Sequence, residues 1–407
     1  MLLIDRKTPI PTLTALVTIC VSLAPVFKNY GIWIISLSEI FLIGICILLF
    51  ITKAKHDFYK IRMLFLFFLV VTVLSLVNSL FYPFAYTVTV RFWIYIFFIY
   101  SFCDYYDFEL GCKIIVYAVL INSIYLLIQD AVFVSMGKVL QWNLPGLPVK
   151  IAEGYINGEA ETAYGVRFSG FFSEPAQFSH YALTGVIILL LKKNILPSLY
   201  RWISLIIIVY AILLSGSGAG SAQLLIILAI FCLKSFKEGR KNIALVIGLL
   251  VFLVVLIQIF IPAIVSMGLD AGWLRAIDRG STASANSRIY HCFRVFNSFS
   301  PVAKIFGIGY GNFGYYVDNF YLSAYTSSYC NSAAYVLCGS GYVGFAFYLA
   351  MFYDWFIHTK GIARFKLITL LVSAFYSGQI LSIDFVLSAC FILSCFIYRK
   401  GEKKWII

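Results

Sequence analysis

The chain has 407 residues, 62% of them hydrophobic and only 12% charged, where a soluble domain carries about a quarter charged residues. With a mean hydropathy of +0.92, the composition excludes a soluble globular protein and indicates an all-α, polytopic membrane protein. The net charge of +13 does not imply nucleic acid as a partner, because no stretch interleaves Lys/Arg with aromatics in a loop long enough to form a soluble binding face.

Apolar segments fall at about 10–27, 31–52, 61–82, 87–103, 112–135, 176–191, 196–214, 218–233, 242–264, 329–356, 367–381 and 385–398. By the length rule they predict about twelve transmembrane helices, within a range of ten to fourteen. The whole chain, 1–407, reads as a single integral membrane domain. The first segment follows Arg6 and Lys7 without a small-x-small cleavage site and is read as a retained helix. Two long polar loops interrupt the pattern, at about 136–176 and 265–328, and each is expected to hold short helices.

The cations divide between the two sides. One side takes the lysine-rich ends around Lys53, Lys60, Lys192, Lys237, Lys241, Lys360 and Lys366, which the positive-inside rule makes cytoplasmic together with both termini. The long loops then face outward, and their cations are mainly arginines: Arg167, Arg275, Arg279, Arg288 and Arg294. The planar guanidinium forks suit phosphate or carboxylate. Pairing with loop carboxylates such as Glu153, Glu159, Asp270 and Asp278 is the plainer explanation for the same residues.

The first loop ends in Gly165-Val-Arg167-Phe-Ser-Gly170-Phe-Phe-Ser-Glu174-Pro175, followed by His180. Pro175 fits the first turn of a helix and Glu174 its positive end. Arg167 has no such local use. His180 lies roughly 240° around the helix from Glu174, so the two are not expected to form one acid/base pair. In the second loop, Asn286 or Ser287 can cap a helix that places Arg288, His291 and Arg294 in an arc of about 120°, with Ile289, Cys292, Phe293, Phe296 and Phe299 on another face. Such a helix can lie on the membrane or roof a cavity, its basic face seating a diphosphate leaving group. Gly309-Tyr310-Gly311-Asn-Phe-Gly314 has the GxGxxG spacing, but no strand precedes it, so a tight return toward the membrane is expected instead of a dinucleotide loop.

Within the spans, Arg91 and Glu39 are the costly charges, Glu39 being placed the deeper of the two. Gly216 and Gly220 have small-xxx-small spacing and predict helix packing. Asp384 marks a short outer turn. Most of the cysteines read as small core residues. Cys292 and Cys330 both fall in the polar segment, where two thiols or a disulfide remain open alternatives.

Three patches resemble the polysaccharide polymerase and O-antigen ligase superfamily: Arg167-Phe-Ser-Gly170 with Glu174-Pro175; Ser287-Arg288 followed by Pro301 and Gly307-Ile-Gly309-Tyr310-Gly311; and Cys330-Asn331-Ser332 with Gly341-Tyr-Val-Gly344. The layout of about a dozen spans and two long outer loops agrees over nearly the whole chain. Ligases of that superfamily carry His where this chain has Cys330, and the Arg-x10-Gly spacing of some polymerases is absent. The resemblance implies a Wzy-type O-antigen or related polysaccharide polymerase in the bacterial inner membrane. Such an enzyme transfers an undecaprenyl-diphosphate-linked glycan chain to an incoming lipid-linked repeat unit at the periplasmic face.

On that resemblance Arg288, Arg167, Glu174 and His291 are expected at the catalytic centre, and Arg294, Arg91, Asn331 and Tyr310 in substrate binding. No metal site and no cofactor is expected. Partners would be the lipid-linked donor and acceptor, membrane lipid and a chain-length regulator protein. An O-antigen ligase acting on lipid A-core, or a lipid-linked oligosaccharide flippase, are the alternatives.

Overall fold

The computed structural model describes residues 11–33, 35–150, 161–162, 165–237, 248, 290–321, 330–375, 377–378, 380 and 382–398. The first half is a run of antiparallel apolar helices: α1 (Pro11–Phe27), α2 (Leu37–Ile51), α3 (Arg62–Asn78), α4 (Tyr86–Phe102), α5 (Phe108–Met136), α6 (Pro175–Leu191), α7 (Ser198–Leu214) and α8 (Gly218–Lys237). Then come three short helices, α9 (Cys292–Asn297), α10 (Pro301–Phe306) and α11 (Phe313–Phe320), followed by α12 (Ser332–His358), α13 (Gly361–Ser373) and α14 (Ile383–Leu393). Four of these helices are long and apolar enough to cross a membrane by length and composition: α3 with its leading turn, α5, α8 and α12. Six shorter apolar helices accompany them. Large apolar side chains such as Phe50, Phe97, Ile121 and Ile206 stand exposed on the bundle surface, as suits helices solvated by lipid. The segment at 242–264 lies outside the described residues except for Gly248.

Local chemistry sets the helix ends. Asp107 caps α5 by accepting from the Glu109 and Leu110 amides, and Gly137, at φ 66°, closes it in the left-handed conformation. Ser36 and Glu39 form a reciprocal capping box on α2. This corrects the depth expected for Glu39. The segment predicted as one span from 31 is broken by a two-stranded turn, β1 (Gly31–Ile32) with β2 (Ile35–Ser36). Glu39 therefore stands in the first helical turn, where an acidic group complements the helix dipole.

Ion pairs identify the two ends of the bundle. At one end Lys28, just past α1, meets Asp384 at the start of α14 at 2.5 Å, and Asn29 donates to Gln177 of α6 at 2.6 Å. At the opposite end Lys60 meets Asp104 at 2.5 Å and Arg62 meets Asp354 at 2.6 Å, and Lys192 pairs with Glu109. Ile397 donates its amide to the His358 carbonyl at 2.8 Å, at that opposite end. Pro11 and Ile397 thus lie at the same end of the bundle.

The chain after α10 makes a turn that enters the bundle. Gly307, Gly309 and Gly311 all have positive φ, at 81°, 91° and 100°. Between them Ile308 and Tyr310 are buried. The Ile308 and Gly309 amides donate to the carbonyls of Cys338 and Gly339 in α12, each at 3.0 Å, and the Tyr310 amide donates to Ser75 Oγ of α3 at 2.9 Å. Opposite this turn α12 leaves helical geometry at Gly341, φ 62°. A Cβ on Gly307 would collide with the Gly339 carbonyl, and one on Gly339 would come within 2.9 Å of Tyr310 Cα. Glycine is required on both sides of this backbone contact.

Small residues also set the α6–α8 contact, since a Cβ on Gly220 would overlap the Ser179 side chain. Thermal unfolding in detergent should show the difference between tight and open glycines. Gly307→Ala combines collision with a disallowed φ and should lose at least the roughly 1–3 kcal/mol of a strained residue. Gly361→Ala has φ 58° but open space around its Cβ, and should lose less. Equal midpoints for the two variants would contradict the contact described.

Candidate functional site

The first loop delivers Arg167 and Glu174 on either side of a turn held by α5. Gly170, φ 65°, donates its amide to Gln129 Oε1 at 3.0 Å and accepts from Gln129 Nε2 at 3.3 Å. The Phe171 amide donates to Asn122 Oδ1 at 3.2 Å. A Cβ on Gly170 would sit 2.8 Å from the Asn122 carbonyl. Phe168 and Phe172 are buried on either side, so polar groups of a spanning helix and two phenyl rings fix the turn.

Arg167, at the head of this turn, is partly buried. Among the described residues its buried Nε meets no hydrogen-bond partner, and its guanidinium forms no ion pair. Glu174 is the residue before Pro175 of α6, as expected, but its carboxylate accepts no capping hydrogen bond. The carboxylate is partly exposed and stands at the positive end of α6.

Below Glu174, α6 carries a polar stripe. Gln177, His180 and Thr184 are three and four residues apart and share one face. Gln177 meets Asn29, His180 Nδ1 lies 3.1 Å from Gln223 Oε1 of α8, and Thr184 Oγ1 accepts from Lys366 Nζ of α13 at 2.8 Å. Lys366 is buried and has no ion-pair partner among the described residues. Asp384 is near enough to act electrostatically on both His180 and Lys366. The sequence reading took His180 alone and gave Asp384 no role. The Gln177-His180-Thr184 spacing was the available signal, but the partners on α8, α13 and α14 are distant in sequence.

Arg91 of α4 faces Glu39, Nε to Oε1 at 3.6 Å, and Tyr95 donates to the same carboxylate oxygen at 3.0 Å. The two intramembrane charges named from sequence are thus each other's partners. With 42% of its side chain exposed, Arg91 remains open on one side.

The second loop is anchored elsewhere, on α12 and α3. Arg288 lies outside the described residues. On α9 and its flanks the buried positions are His291, Cys292, Val295, Phe296 and Phe299, a continuous helical stripe packed toward α12. His291 falls on this apolar face, its ring 5.8 Å from that of Tyr321 and 6.5 Å from that of Phe313. Arg294 points to the exposed side. The expected arc uniting His291 with Arg294 is therefore divided. Val295, next to His291 around the helix at 100° per residue and fully buried, supplies the reason: packing on α12 pulls that edge of the arc inward.

Asn331 is fully buried and caps α12, accepting from the Ala334 amide at 2.9 Å, while its Nδ2 lies 3.4 Å from Cys292 Sγ. Tyr310 is stacked on Phe92 with ring centroids 5.0 Å apart and meets Tyr335 edge-on at 4.8 Å. Both side chains, named from sequence for substrate binding, serve capping and packing here. Among the described residues no group of three or more His, Cys, Asp or Glu is placed to hold a metal ion.

Compared with known protein families and with curated proteins, the chain matches none. The residues themselves therefore carry the functional reading.

The anchoring of Arg167 can be read by limited proteolysis. Trypsin should cut slowly after Arg167 in the intact protein. Gln129→Leu removes both bonds to Gly170, a loss of about 1–3 kcal/mol locally, and should raise the cleavage rate at that bond about tenfold or more. An unchanged rate would mean that Gln129 does not hold the turn.

Proposed function

We propose that this chain is a membrane glycosyltransferase of the polysaccharide-polymerase type, acting on glycans linked to undecaprenyl diphosphate. The observation that carries the reading is the Arg167 guanidinium, partly desolvated and without an ion pair among the described residues, on a turn fixed by Asn122 and Gln129. Arginine stays charged in proteins, and a desolvated cation calls for an anion. A diphosphate at the membrane surface supplies one in the bidentate geometry that guanidinium favours.

In this reading Arg167, together with Arg288 and the exposed Arg294, stabilises the departing lipid diphosphate. The C–O bond between the anomeric carbon and the diphosphate breaks as the acceptor hydroxyl oxygen bonds to that carbon. The hydroxyl proton passes to a base. Glu174 suits that role better than His291, because its carboxylate is partly exposed and unspent in capping, whereas the His291 ring is buried among aromatics. Arg91, tied to Glu39, belongs to the approach of the lipid headgroup.

The lysine-rich ends support placing both chain ends in the cytoplasm of a bacterial cell, with the arginine loops on the periplasmic side of the inner membrane. The common position of Pro11 and Ile397 agrees with that orientation.

The test is chain growth by purified protein from lipid-linked repeat units, without added metal. Arg167→Ala should lower the rate roughly 10²–10³-fold, the range for losing one preorganised charge-stabilising donor, and Arg167→Lys should recover only part of it. Full-length polymer at the normal rate from Arg167→Ala would overturn the assignment. Activity abolished by a chelator and restored by a divalent ion would overturn metal independence.

A further inference from the structure

Where α9 meets the start of α12, three cysteines converge. Cys292 opens α9, Cys330 immediately precedes the Asn331 cap, and Cys338 lies two turns into α12. All three are buried, with Cys330 retaining 8% of its surface. Cys292, Cys330 and Cys338 pack in one buried cluster, close enough for the Cys330 and Cys292 thiols to influence each other's ionisation, and Cys338 Sγ lies 3.9 Å from the Cys292 carbonyl. Asn331 Nδ2 points at Cys292 Sγ. These contacts cross between two elements separated by 38 positions, and none is used by the proposed glycosyl transfer.

We propose that Cys292 and Cys330 are a disulfide-forming pair, a modification site that on oxidation locks the Arg294-bearing helix α9 to the entry of α12. The local environment favours the chemistry. The hydrogen bond from Cys330 is the main influence lowering the Cys292 thiol to about 7, against burial and with help from backbone amides including Asn331 and Phe293. A large fraction of thiolate is then present near neutral pH, and thiolate is the attacking species.

The co-reactant is a small disulfide oxidant such as oxidised glutathione. The Cys292 thiolate first attacks one sulfur of the oxidant, forming a mixed disulfide at Cys292 and releasing one glutathione thiol. Cys330, whose thiol burial keeps protonated, then attacks the Cys292 sulfur as its proton passes to the departing second glutathione, and the protein disulfide forms. Two thiol protons end on the two glutathione thiols, and two electrons pass from the protein to the oxidant. Cys338 is the competing partner for Cys330. Cys292 is favoured because its Sγ accepts from Asn331 Nδ2 at 3.4 Å, which stabilises the thiolate.

The pairing does not depend on the proposed reaction, and its test uses no glycan substrate. Full-length protein in detergent is incubated with oxidised glutathione, alkylated, digested and analysed by mass spectrometry. A peptide pair joined through Cys292 and Cys330 is expected in the wild type and in Cys338→Ser, and is lost in Cys292→Ser. Should a variant fail to fold, the wild-type cross-link alone decides the matter. A Cys330–Cys338 link, or stable glutathione adducts without a cross-link, would overturn the proposal. So would three alkylated thiols under conditions that oxidise the unfolded chain.

Discussion

The structure depends on a backbone contact between the glycine turn at 307–311 and the break in α12 at Gly341. An unbroken helix gives each carbonyl to its own next turn. At the break, the Cys338 and Gly339 carbonyls instead accept from Ile308 and Gly309. In a hydrocarbon surrounding each unmet backbone group costs several kcal/mol, so the break needs the turn and the turn needs the break. Side chains would keep the two backbones apart, which is why glycine stands on both sides. The contact fixes α9 and α10 against α12, and through them the Arg294 side of the second loop.

The first loop is fixed by different means. Its turn is held by side chains of α5, two amide groups that would themselves be costly in a spanning helix without partners. Asn122 and Gln129 meet that cost by binding the 170–171 backbone, and the same bonds immobilise Arg167. Backbone contact anchors one loop and side-chain contact the other, on different helices. Either way Arg167 and Arg294 sit on anchored backbone, which the proposed charge stabilisation would need.

Much of this architecture was legible in the sequence. Hydropathy located the apolar helices among the described residues, four of them long enough to span a membrane where about twelve spans were expected; Pro175 and Glu174 located the start of α6, and the glycine run announced a return toward the bundle. What hydropathy could not resolve was where an apolar run stops being helix. Ser36 and Glu39 start α2 through a capping box inside a continuous greasy stretch, and so Glu39 looked deeper than it is. Helical-wheel reasoning likewise placed His291 with the arginines, because a wheel knows the spacing of side chains but not which neighbour draws a face inward. Lys28 with Asp384, and Lys366 with Thr184, are contacts across 356 and 182 positions, beyond the reach of any local pattern.

The charge inventory separates structure from function more sharply than motif matching does. Five described cations at the two ends of the bundle are neutralised: Lys28 by Asp384, Lys60 by Asp104, Arg62 by Asp354, Arg91 by Glu39 and Lys192 by Glu109. That is the default where desolvation makes a lone charge expensive. Arg167, Lys366 and Arg364 have no ion pair among the described residues, and their surroundings differ: Arg364 lies over the Phe356 ring at 4.5 Å. Lys366 donates to the Thr184 hydroxyl at 2.8 Å and has the Asp384 carboxylate within electrostatic reach. Arg167 has neither among the described residues, and arginine does not release its proton. A guanidinium held on a fixed turn without an ion pair among the described residues keeps its charge, and an anion arriving from outside the chain can neutralise it.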